Sequence, residues 1–276
     1  MNPSQFQTFG TPHLVVMGLT MAFAVVLSML ARRNPDGRMA AAIGYLLAAM
    51  LLINEVSAGG QRLLQFGLDY FIRNHLPLHI CGVANLVTAA TLFFRNRRTY
   101  EIAYFWGLVG SANAVITPGA MDAGFPSWRF FQYFIVHSGI VVGVLYATWG
   151  LGMRPTLAGL FRAFIALNVF AVAVGTVNLL LGSNYMYLSK PPWGTVSPFF
   201  FAPWPWYIPI LDAVALVMFF AVYLPVYLAR RYQARKMRAT APSTPCDPSA
   251  PCDPSVPHDT SAPRDTSAPN DPGKSA

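Results

Sequence analysis

Apolar residues run in seven long stretches, approximately 12–31, 39–57, 77–94, 101–120, 130–149, 157–181 and 207–228, separated by short polar or aromatic connections. About 20 apolar residues in helical form cross a ~30 Å hydrocarbon core, and each stretch is near that length. The pattern therefore predicts seven transmembrane helices. The third and fourth stretches are parted only by the segment carrying Arg95, Arg97 and Arg98, which predicts a tight hairpin. No basic region precedes the first stretch and no small-residue cleavage site follows it, so it is expected to stay in the mature chain rather than to act as a cleaved signal. After residue 238 the pattern stops. Residues 239–276 hold five copies of a hexapeptide, beginning Pro242-Ser-Thr-Pro-Cys-Asp and Pro248-Ser-Ala-Pro-Cys-Asp. Such Pro/Ser/Asp repeats bury too little surface to offset the entropy of ordering, so a disordered tail is expected behind a membrane domain spanning 1–238.

Composition agrees with that division. Of the 276 residues 54% are hydrophobic and 11% charged, where soluble domains carry about 25% charged residues. The net charge of +8 does not point to nucleic acid, because the basic residues cluster beside the apolar stretches. Alternate connections hold Arg32, Arg33, Arg38, Arg95, Arg97, Arg98, Arg154, Arg162, Arg230, Arg231, Arg235, Lys236 and Arg238, whereas the others hold only Arg62, Arg73, Arg129 and Lys190. Positive charge marks the cytoplasmic side, so the expected orientation is N-terminus out and C-terminus in. The outer connections Ala58–Leu76, Met121–Arg129 and Gly182–Trp206 are long and aromatic, and the rings of Pro203-Trp204-Pro205-Trp206-Tyr207 suit the headgroup layer.

Polar side chains inside hydrocarbon are costly, about 2.5–3.5 kcal/mol for a charged type at the bilayer centre, so their positions carry information. Asn54 and Glu55, His79 and Cys81, Asn113 and Thr117, Gln132 and His137, Asn178, and Asp212 all fall in the outer parts of their stretches. Any single asparagine is accounted for by interhelical hydrogen bonding. Two histidines, two carboxylates and a thiol at one depth point instead to a polar cavity open to the outer leaflet. Cys81 sits just after Pro77, in the first turns of its helix, where the positive end of the dipole favours a nucleophilic thiolate. His137 is the candidate general base, with Glu55 or Asp212 to orient its ring. His79 is about 200° round the helix from Cys81, while Asn85 and Thr88 share its face. Cys246, Cys252 and His258 occupy one variable position of the tail repeat, which argues against a metal site. No Walker, Rossmann or zinc signature occurs, and no cofactor is expected.

Leu76-Pro-Leu-His-Ile-Cys81, Tyr104-Phe-Trp-Gly107, Thr117-Pro118, Phe125-Pro126 with Arg129-Phe-Phe-Gln132, Phe134 to His137, Leu167-Asn168, Leu181-Gly-Ser-Asn-Tyr185 and the Pro203–Tyr207 run together resemble the YwaF-type bacterial integral membrane proteins, over residues 12–228. That family is distantly similar to a eukaryotic transmembrane acyltransferase of ether phospholipids, and more loosely to the androgen-induced membrane hydrolases of fatty-acid esters. The resemblance implies acyl chemistry in a bacterial cytoplasmic membrane, with Cys81 as acyl-accepting nucleophile, His137 as base and membrane phospholipids as donor and acceptor. Glu55, His79, Asn85, Asn113, Gln132, Asn178 and Asp212 are then expected to bind or orient the substrate. The alternatives are a transporter or receptor-like binder using Glu55, His79, His137 and Asp212, and a lipid ester hydrolase.

Overall fold

The computed structural model describes residues 6–118, 123–191 and 202–240, with side chains up to residue 237. The chain divides into a unit spanning Met1–Arg231 and a second spanning Tyr232–Ala276, whose described part is the end of the last helix. The hexapeptide repeats, with Cys246, Cys252 and His258, lie outside the described residues.

Every regular element among the described residues is helical. In order they are α1 (Thr11–Arg32), α2 (Arg38–Phe66), α3 (Leu68–Asn74), α4 (Ile80–Phe94), α5 (Arg97–Ile102), α6 (Asn113–Ile116), α7 (Trp128–Leu145), α8 (Leu157–Leu181) and α9 (Tyr207–Thr240). A π-helical segment, Ala103–Ala112, joins α5 to α6 without a break, a second, Tyr146–Gly150, extends α7, and a 3₁₀ turn covers Tyr185–Tyr187. Five helices are long and apolar enough to cross a membrane: α1, α2, α7 with its extension, α8 and α9. The third expected stretch is α4, whose 15 residues span ~22 Å, and the fourth is the composite rod α5–π–α6.

On α1 and α2 the residues turned inward are mostly small or polar. On α1 the buried residues are His13, Thr20, Ala24, Ser28 and Ala31; on α2 they are Ala40, Gly44, Ala48, Leu51, Asn54 and Ala58. Val172 and Leu179 on α8, by contrast, are 73% and 86% exposed. In hydrocarbon, Leu gains nothing by leaving the lipid, so close backbone approach over small residues holds helices together. Gly143 shows the effect: a Cβ there would stand 2.9 Å from Thr88 Cγ2 and 3.1 Å from Leu92 Cδ1, so α7 and α4 could not pack as they do.

Side-chain ties at the helix ends fix an up-and-down arrangement. At one end, called upper here, His13 Nε2 meets the Val115 carbonyl at 2.7 Å, Trp128 Nε1 donates to Gln61 Oε1 at 2.8 Å, and Arg73 donates to the Leu181 carbonyl at 2.8 Å. At the lower end Arg95 donates to the Pro35 carbonyl, Tyr146 to the Ala40 carbonyl, and Thr156 to Glu101. Two boundaries differ from the sequence expectation. The connection expected over Ala58–Leu76 is instead helix for most of its length, because Gly59 and Gly60 sit inside α2 and the break comes at Gly67, whose φ of 79° favours glycine. The helix expected from Pro77 begins at Ile80, with His79 as its extended N-cap.

Candidate functional site

Cys81 is the second residue of α4 and packs on the π-helical segment: its Sγ lies 3.6 Å from where a Cβ on Gly110 would stand. Ser111, next along, is fully buried and close enough to bear on the thiol, yet its Oγ makes no hydrogen bond of ordinary geometry. One and two turns below Cys81 on the same face of α4 are Asn85 and Thr88, 0% and 1% exposed. Asn85 Nδ2 donates to Glu55 Oε2 at 3.1 Å and to the Leu51 carbonyl at 3.4 Å. Both partners only accept, which fixes the amide and leaves Oδ1 buried without a partner. Thr88 Oγ1 and Gln132 Nε2 are likewise buried and unpartnered. Buried polar atoms are hydrogen-bonded in the large majority of cases, so these open ones set this part of the bundle apart from the apolar core around it.

His137 lies on α7, three residues before Ile140. A Cβ on Gly107 would stand 2.9 Å from Ile140 Cγ2, and Tyr133, one turn above His137, donates its hydroxyl to the Ala114 carbonyl at 3.1 Å. The Tyr133–His137–Ile140 face of α7 thus turns towards the Gly107–Ala114 stretch that Cys81 flanks from α4. Nδ1 of His137 is 2.7 Å from the Tyr133 carbonyl, and the ring stacks on Tyr133 at 4.2 Å. A carbonyl accepts only, so the proton resides on Nδ1 and the lone pair on Nε2, the arrangement a general base requires.

The remaining expected site residues separate into two groups. Glu55 and Asn85 are bonded to each other, and Gln132 stands opposite Asn54, whose Nδ2 donates to the Gln132 carbonyl at 3.2 Å. The others are elsewhere. His79 accepts from the Met186 amide at 3.3 Å and packs on Tyr185 and Tyr187, away from Cys81's face. Asn178 is held by Ser183 Oγ, the Tyr185 amide and the Tyr185 carbonyl, and it serves as an anchor for the turn after α8. Asn113 is exposed and accepts from Thr117. Asp212 accepts from Asn168 Nδ2 at 3.1 Å, joining α9 to α8. Neither carboxylate bonds the His137 ring: Asp212 is held by Asn168 and Glu55 by Asn85, and the Tyr133 carbonyl orients the imidazole instead.

Sequence reading passed over Ser111, whose only signal was a serine after Gly110 in an apolar stretch, and the charges above the site. Glu55 and Arg129 both lie within electrostatic reach of Arg62. His75, in the connection after α3, has its pKa pushed below the ordinary 6.5 by burial first, and then by the guanidinium charges of Arg62 and Arg129. The neutral ring is thus favoured by the fold, and its contribution to stability is lost as pH falls through the lowered value. Arg62→Gln should raise the His75 titration midpoint part of the way back towards 6.5, since burial remains; hydrogen–deuterium exchange at the imidazole carbon, followed by mass spectrometry, reads that midpoint. No group of three or more His, Cys, Asp or Glu placed to hold a metal occurs among the described residues.

The sequence is similar to an uncharacterized protein of Treponema pallidum (strain Nichols), 28% identical over 158 residues, which are 55% of this chain and 63% of that relative. No solved structure matches. The family model that matches runs over residues 8–223, from the start of α1 into α9, and so takes in Cys81, His137 and every helix between them: the chain belongs to the TMEM164 family, a family of membrane proteins.

Proposed function

We propose that this multi-pass membrane protein is a lipid acyltransferase or transacylase of the YwaF type, with Cys81 as nucleophile and His137 as base. The observation that carries the reading is the polarity on the thiol's face of α4: Asn85 Oδ1 and Thr88 Oγ1 are buried without partners one and two turns below Cys81, and Ser111 Oγ lies against the thiol. Groups left so at a cost of about 1–3 kcal/mol each are explained by a polar substrate or water that completes them. His137 supports it further, because its tautomer leaves Nε2 basic.

In the first half-reaction the Cys81 thiol gives its proton to His137 Nε2, and the thiolate attacks the ester carbonyl carbon of a phospholipid. The ester C–O bond breaks, the lysophospholipid oxygen takes the proton back from the imidazolium, and the acyl group remains as a thioester. In the second, a lipid hydroxyl gives its proton to His137 and attacks the thioester carbonyl; the C–S bond breaks and the thiol is restored. Arg62 and Arg129 at the upper end offer positive charge to the phosphate of such a substrate. Incubating the reconstituted protein with a phospholipid radiolabelled in its acyl chain should give a hydroxylamine-labile acyl-protein that Cys81→Ser lacks. Release of free fatty acid with no acylated acceptor would make the protein a hydrolase, and labelling that survives in Cys81→Ser would refute the nucleophile.

The same reading includes seven crossings, with α4 and the α5–π–α6 rod as the third and fourth, in a bacterial cytoplasmic membrane. Its support is that Arg95, which meets Pro35, and Arg162, which meets Glu101, lie at the lower end and belong to the richly basic set of connections. A reporter fused after Arg238 should be cytoplasmic, and one in the 182–206 connection external. The reverse pattern would put the thiol on the cytoplasmic side and overturn the choice of an outer-leaflet donor.

A further inference from the structure

We infer that the groove between α1, α2 and α7 binds one fatty acyl chain of a membrane phospholipid. The inference is independent of the reaction proposed for Cys81, because the groove lies against Phe131, Ile135 and Ser138, about 200° round α7 from Tyr133, His137 and Ile140.

The groove has a volume of about 680 Å³ and runs from Thr11, Pro12 and Phe125 at the upper end down to Leu27 and Val142. Along α1 that is ~24 Å, longer than half of the ~30 Å hydrocarbon core. Its walls are aliphatic and aromatic. Its two inner polar residues are satisfied: the Thr20 hydroxyl donates to the Val16 carbonyl at 2.8 Å and pairs with the Ser138 hydroxyl at 2.8 Å. Water would find no partner there, and it needs two to four, so the occupant is hydrocarbon.

The Thr20–Ser138 pair joins α1 to α7 within the groove, and the space left beside them opens on the flank of α1, where Leu19 and Phe23 are 51% and 55% exposed. A single flexible chain fits a volume of about 680 Å³, and the bilayer against that flank supplies one at high local concentration. Gly139 lets α2 and α7 meet closely at the wall: a Cβ there would stand 2.8 Å from both Leu51 Cδ2 and Met50 Cε, and those side chains would have to shift. At the mouth Phe125, Phe130 and Phe131 form mutual edge-on contacts at 5.7–5.8 Å, an aromatic rim suited to the level where chain meets headgroup.

The test uses the full chain reconstituted in phosphatidylcholine vesicles doped with a phosphatidylcholine carrying a diazirine midway along one acyl chain. After irradiation, peptide mapping should find adducts on the 11–27 and 130–142 segments at least fivefold above those on α8 around Val172 and Leu179, which are open lipid-facing surface. Val16→Trp and Leu19→Trp, which fill the groove from α1, should each lower that labelling at least fivefold while leaving α8 labelling unchanged, the latter serving as the check that the variant is folded. Even labelling of α1, α7 and α8 in the wild type overturns the inference. So do protein–protein cross-links through α1 in place of lipid adducts, which would give the groove to a second copy.

Discussion

Alanine at position 159 should lower the stability of the bundle by about 3 kcal/mol, read as a reduced midpoint of thermal unfolding in detergent. Gly159 lies in the first turn of α8, and its missing side chain leaves the space that the Glu101 carboxylate fills; a Cβ built there would overlap the carboxyl group. Glu101, 1% exposed, cannot simply swing away. Thr156 donates to Oε1 at 2.6 Å, Arg162 donates to Oε2, and Arg97 Nε is 3.6 Å from Oε1. Thr156 is also the N-cap of α8, accepting from the Gly159 amide at 3.0 Å, so the carboxylate rests on the positive end of the helix through the residue that caps it. Displacing it leaves a buried negative charge short of partners, and breaking a buried ion pair on one side costs about 3–5 kcal/mol. A double-mutant cycle isolates the cause. In a Glu101→Ala background the space is empty, so Gly159→Ala should cost much less than in the wild type. Additive losses would show that the glycine matters for some reason other than the carboxylate.

That lock was not legible in the sequence, where Glu101 was no more than the first residue of an apolar stretch. The stretches were legible because hydropathy over some twenty residues is set by the bilayer and not by neighbours. The expected 157–181 coincides with α8, and the expected 12–31 falls one residue inside α1 at each end. The end of α2 was not, since two glycines in a membrane helix serve close packing as readily as termination, and α2 passes through Gly59 and Gly60 to Gly67. The π-helical segment left no trace in hydropathy, which is blind to the register of backbone hydrogen bonds. It matters for the site, because it carries Gly110 and Ser111 to Cys81.

Depth and direction differed in the same way. Counting residues from a helix end placed Asp212 and His79 at the level of Cys81, but depth says nothing about azimuth. Asp212 faces α8 and His79 faces the Tyr185–Tyr187 turn. Where helical period supplied the azimuth the reading held: Asn85 and Thr88 share a buried face with Cys81 at i+4 and i+7.

The largest functional effects should come from Cys81→Ala and His137→Gln, and the two should differ in kind. Cys81 stands at the head of α4 over Gly110. Cys81→Ala removes one small atom group, should shift the unfolding midpoint little, and should abolish both the acyl-protein and the acylated product. His137→Gln keeps a side chain able to donate to the Tyr133 carbonyl but takes away the basic Nε2. General-base catalysis contributes typically 10²–10⁴-fold, so acyl-protein formation should slow by about that factor near neutral pH while the thioester still forms. Raising the pH supplies thiolate without a base, so the deficit of His137→Gln relative to wild type should shrink as pH rises. Gln132→Ala, one turn above on the Asn54 side, should weaken substrate binding more than the chemical step, because it removes an amide and no proton carrier. A His137→Gln protein with the wild-type rate across this pH range would remove the histidine from the reaction, and a constant deficit at every pH would make it a positioning residue for Tyr133 and the π-helical segment instead of a base.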